Sequence, residues 1–156
     1  MPPSTPHQDA DSLPVCPVTG LPVTSRPEWT DLLFGKAYHL TFRVIGDRIL
    51  LNQPSGYAEL SDIVESFAVT DVVVDTMIDQ SAGYVHISNY AGMRGITHEA
   101  RKFYVRHMEQ RNHLLGLIYF GASPLFRLMI RLAQRLSLVK FNVLIVKDYP
   151  AAMAAG

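Results

Sequence analysis

Between Tyr38 and Ile45 apolar and polar residues alternate, and residues 48–51 repeat the alternation after Gly46-Asp47. A period of two on both sides of a tight turn predicts a β-hairpin, which Pro54-Ser55-Gly56 ends. Over residues 59–79 the period lengthens. Leu60, Ile63, Val64, Phe67, Val74 and Ile78 fall near one face of a helix, and Asp71, Asp75 and Asp79 recur every four positions. The run Val72-Val73-Val74 favours extended chain, so a shorter helix followed by a buried strand is the alternative. Residues 84–88 read as a short strand and 89–95 as a loop with two glycines. Thr97 then fits an N-cap, with Glu99 favourable in the first turn, and the helix runs to about Arg111. Its inward side is mostly Ala100, Phe103, Tyr104, His107 and Met108.

The unbroken apolar run Leu114–Phe120 marks a strand covered on both faces. Gly121-Ala122-Ser123-Pro124 stops it and starts a helix, with Ser123 as N-cap and Pro124 at the first helical position. That helix carries Leu125, Leu128, Met129 and Leu132 on one side and Arg127, Arg131 and Arg135 on another. Residues 141–146 give a last strand and 150–153 at most a short terminal helix. A buried strand turning into an amphipathic helix is half of a βαβ crossover, so the order β-β-α-β-α-β-α-β predicts a mixed, mainly parallel sheet with helices packed on it. The α/β domain spans 31–156. Residues 1–30, rich in Pro, Ser, Thr and Asp, form an irregular lead-in arm, of which 16–23 is the least polar part and Trp29 a candidate anchor.

From about Tyr38 to Met153 the pattern resembles the STAS domain, the module of sulphate-transporter tails and bacterial anti-sigma factor antagonists. The resemblance is carried by YVHISNY, the loop AGMRGITHEA, the strand LLGLIYFGASP and the closing FRLMIRLAQRLSLVKFNVLIVKDYPAAM. The lead-in CPVTGLPV with PEWTD is also similar to amino-terminal regions of bacterial sensor kinases carrying PAS modules. The resemblance implies a signalling role. STAS antagonists are switched by phosphorylation of a serine at a helix start, in a loop of Asp-Ser-Ser-Gly type. Here that loop reads Met93-Arg94-Gly95-Ile96-Thr97-His98, without the aspartate or either serine, and Thr97 is the one hydroxyl that could inherit the role. A phosphate there would meet the helix amides with Arg94 and Arg101 close in sequence; the plainer reading is that Thr97 only caps.

Composition narrows the function classes. The 156 residues are 48% hydrophobic and 18% charged, with zero net charge. Neither the overall charge nor any reading motif or stacking surface points to nucleic acid. Charge is nonetheless segregated: residues 59–79 hold six acids and no base, and 94–140 hold nine bases against Glu99 and Glu109. These are either ordinary solvated faces or a dipole-like surface that docks a partner or another copy head to tail. The lone Cys16 precludes an internal disulfide framework and suits a reducing cytoplasm. The start MPPSTPHQDADS has no secretory pattern, and the one stretch near transmembrane length, 114–130, is broken by Gly-Ala-Ser-Pro and Arg127, so no membrane span is expected.

No catalytic arrangement emerges. The histidines at 7, 39, 86, 98, 107 and 113 lack metalloprotease spacing, and His86 and His107 read as packing residues. Gly92, Gly95 and Gly121 match no dinucleotide or phosphate loop, Gly121-Ala122-Ser123-Pro124 lacks the second glycine of a nucleophile elbow, and Cys16-Pro17 has no partner histidine for haem. No cofactor is expected. In open α/β sheets ligands sit beyond the carboxyl ends of parallel strands, a rim that here holds Asn89, Tyr90, Arg94, Thr97, Gly121 and Ser123. The expectation is a non-enzymatic bacterial signalling module acting through protein contact with a regulator, a kinase or another copy of itself. Its working surface comprises Asn89, Tyr90, Arg94, Gly95, Thr97, His98, Arg101 and Ser123. The alternative is a sensor of a small acidic ligand at the strand rim, signalling through dimer contacts.

Overall fold

The computed structural model describes residues 14–156. The hairpin forms where alternation predicts it, from β3 (Tyr38–Ile45) and β4 (Ile49–Ala58), paired antiparallel from Ile45↔Ile49 to Tyr38↔Gly56. β4 does not stop at Pro54-Ser55-Gly56. Gly56 adopts φ +86°, and a Cβ on it would lie 1.8 Å from the Ala37 carbonyl oxygen, so only glycine lets the strand pass that close and continue. Two short strands, β1 (Val23–Thr24) and β2 (Leu32–Phe34), share the lane on the outer side of β3, at its opposite ends.

Most of residues 59–79 form one long helix, α1 (Leu60–Met77), with the valine run inside it and Glu59 and Ile78 as its extended caps. β5 (Tyr84–Asn89) follows, and the expected loop is in fact another strand, β6 (Gly92–Ile96). β6 pairs parallel with the second half of β4, in the lane β5 occupies beside the first half. The two glycines explain both the strand and its illegibility. A Cβ at Gly92 would be 2.9 Å from Ser55 Cβ, and one at Gly95 would be 2.8 Å from the Tyr57 ring, so close approach replaces side-chain alternation. Next come α2 (His98–Glu109), β7 (Leu114–Phe120), α3 (Pro124–Arg135), β8 (Val143–Ile145) and α4 (Tyr149–Ala155).

Among the described residues the sheet has eight strands, ordered β1-β3-β4-β5-β7-β8, with β2 on β3 and β6 on β4. From β4 onward every pairing is parallel. Each crossover from β4 to β8 therefore moves one lane in the same direction, and right-handed connections place α1, α2 and α3 on one face. One core lies beneath them: Phe42, Val44, Leu50, Tyr84, Leu117 and Tyr119 from the sheet meet Ile63, Phe67, Val74, Ala100 and Met108 from the helices. The other face is closed by α4 and the lead-in. There Ile45, Ile49, Ile87, Ile118 and Phe120 pack on Ala152, Met153 and Cys16. Residues 14–30 thus contribute a strand and two buried side chains, Cys16 on one face and Trp29 on the other. Among the described residues no helix is long and apolar enough to cross a membrane.

Candidate functional site

The strand rim takes shape from two caps. Thr97 Oγ1 accepts from the Ala100 amide at 3.2 Å, opening α2, and Ser123 Oγ accepts from the Phe126 amide at 3.2 Å, opening α3. Both hydroxyls serve as helix caps, as their sequence context predicts. Asn89 turns the chain out of β5 by accepting from the Ala91 amide at 3.1 Å through Oδ1. Gly121, at φ +70°, leaves room for that carbonyl: a Cβ there would sit 2.9 Å from Asn89 Oδ1. Arg94 is exposed on β6 and Gly95 backs onto Tyr57.

The predicted set divides here. Tyr90, His98 and Arg101 line a groove of about 600 Å³ between α2 and α3, and Asn89, Arg94, Gly95, Thr97 and Ser123 lie outside its lining. Two residues that sequence reasoning placed only in the core, Tyr104 and Tyr119, join Tyr90 on the groove floor. The Tyr90 ring stacks on Phe126 with centroids 4.7 Å apart and lies 4.7 Å from the Tyr119 ring. Tyr119 donates its hydroxyl to that of Tyr104 at 3.1 Å. Burial pushes the Tyr104 phenol up to about 12 and holds Tyr90 and Tyr119 well above their ordinary range, so all three keep their protons. The available signal was a tyrosine inside the apolar run of β7, because a buried phenol needs a partner. The walls are aliphatic, with Val105, Met129, Ile130 and Ala133 among them, and the mouth carries His98, Arg101, Lys102 and Arg106 against Glu109.

α3 forms the outer wall and buries no side chain. Phe126, Ile130 and Ala133 are half-buried toward the sheet or groove. Leu125, Leu128, Leu132 and Leu136 are 68%, 62%, 53% and 60% exposed. Of the predicted stripe, Leu125, Leu128 and Leu132 are exposed and Met129 is half-buried; Leu132 and, one turn on, Leu136 also edge the groove. On α1 a second exposed series, Leu60, Val64, Ala68 and Val72, recurs every four residues with Glu59, Glu65 and Asp75 around it.

The segregated charges meet in one place. Asp71 of α1 pairs with Arg111, which also donates to the Tyr84 hydroxyl at 3.0 Å, and with His107 Nε2 at 3.3 Å. The His107 ring stacks on Phe67, 4.1 Å between centroids, as a packing residue does. His86 lies deeper, on the helix side of β5, with both ring nitrogens buried and without a partner among the described residues. Beside it Ser88 donates to Asn52 across β4 and β5. Among the described residues no three or more His, Cys, Asp or Glu side chains cluster as metal ligands.

A crystal structure from Shewanella loihica, described as a DUF3478-family protein with a SpoIIAA-like fold, superposes on this chain with a TM-score of 0.57. The match covers 81% of this chain and 97% of that one at 12% identity. No family model and no curated protein matches the chain. The architecture is therefore SpoIIAA-like, the fold of STAS domains, as the sequence resemblance implied.

Proposed function

We propose that this chain is a non-enzymatic regulatory module of a bacterial signalling system, working by reversible protein contact with a second copy of itself. The observation that carries the proposal is the leucine stripe of α3, four large side chains at helical spacing left in water. Contiguous apolar patches of this kind mark contact sites. The complement is present on the same molecule: α1 presents an apolar series among acids, and α3 presents its leucines among Arg127, Arg131 and Arg135. Because the three helices lie side by side in one layer, a two-fold axis along the helices lays each α1 over the partner's α3 and closes the assembly.

Sedimentation velocity over a concentration series tests this. A dimer weakened by salt is expected, and Leu128→Glu should give a monomer of unchanged thermal stability, since Leu128 is 62% exposed within the chain. A wild-type monomer throughout overturns the pairing. The N-terminus of α2 is where a modification would act, because phosphate on Thr97 would displace a cap and set charge one turn from Arg101. Thr97→Glu is expected to shift the dimer equilibrium; unchanged sedimentation would remove the switch and leave the dimer.

A further inference from the structure

We infer that the groove between α2 and α3 binds a single-chain aliphatic carboxylate, with its hydrocarbon tail inside and its carboxylate at Arg101. This goes beyond the pairing proposed above and does not require it. The first support is Arg101 itself. Arg101 is half-buried and reaches from α2 across to α3, where among the described residues its Nη1 finds only the thioether of Met129, at 3.9 Å. Among the described residues it makes no ion pair. A partly desolvated guanidinium facing a weak acceptor lacks the anion that would offset its burial, and a carboxylate matches its fork. The exposed bases Lys102 and Arg106 add to the same potential at the mouth, and Glu109 is the one acid there.

The second support is the interior. The volume, about 600 Å³, lies in the range of small-molecule sites. Val105, Met129, Ile130 and Ala133 offer a flexible aliphatic wall, which suits a methylene chain. On the floor the Tyr104 and Tyr119 hydroxyls bond each other, so hydrocarbon can cover that pair without breaking a bond to water on both.

Isothermal titration with monomeric hexadecanoate, and with its methyl ester as the uncharged control, tests the site. One-to-one binding of the acid is expected, with the ester and the Arg101→Gln variant each at least about tenfold weaker. Ala133→Phe, which fills the groove, should abolish binding; Val105→Trp replaces it if that variant does not fold. Leu128→Glu, which lies outside the lining, should bind as the wild type does, so a failed dimer overturns the pairing alone. Equal binding of acid and ester, binding retained in a folded filled variant, or no binding overturns the site. Capture by phosphatidylglycerol vesicles without uptake of the monomeric acid overturns it too, assigning the face to a bilayer.

Discussion

His86 occupies the middle of the sheet, and among the described residues neither ring nitrogen has a hydrogen-bond partner. Burial, aided by the nearby Arg111 charge, lowers its pKa to about 3 from the 6.5 it has in water. As pH falls below the unfolded value, the unfolded chain takes up a proton that the folded chain refuses. Its contribution is therefore fully present above pH 6.5 and is lost progressively as pH falls toward 3. The urea midpoint of the wild type should drop between pH 7 and pH 5, and His86→Leu should flatten that drop, in proportion to its removal of a buried group that pairs with nothing. Equal slopes for the two proteins would place the acid sensitivity elsewhere. That His86 packs was legible from its place in an apolar strand. That it lacks a partner was not, because only the helix laid over it decides whether a donor or acceptor arrives.

At the scale of elements, the caps were the most legible features. Thr97 and Ser123 each precede a helix with the residue types that start one, and each hydroxyl holds an amide in the first turn. Thr97→Ala is expected to cost about 1 kcal/mol in chemical denaturation and Thr97→Ser much less, because only the accepting oxygen matters to the cap. The helix α3 shows the limit of periodicity. Spacing tells which residues share a side but not which side meets the sheet, and here Phe126 and Ile130 won that contact over four leucines. β6 was hidden for a different reason. Its pairing rests on the small size of Gly92 and Gly95 against Ser55 and Tyr57, and glycine in sequence reads first as a turn.

For the whole molecule, the fold followed from the sequence because each helical crossover from β4 to β8 advances one lane, with β6 only extending the lane of β5, and one hand of crossover then fixes one helical face. The groove did not, since its tyrosines come from a loop, a helix and a strand that only the assembled sheet brings together. The opposite face has its own logic. Cys16 is 1% exposed, and its sulfur lies 3.4 Å from the Tyr149 hydroxyl, across a separation of 133 positions. Burial pushes its thiol up, but hydrogen bonds from Thr19 and Tyr149 outweigh that and leave it at about 7. A thiol lowered that far is more readily ionised near neutral pH than an ordinary one, and burial restrains its access. Slow labelling by a soluble disulfide reagent is expected in the native chain, and removal of residues 149–156 should raise the rate toward that of the unfolded protein. Two far-apart stretches of chain act as the two leaves of one latch. Whatever tugs the rear leaf open, whether a fused domain or a cut, is felt at the front as a thiol suddenly within reach.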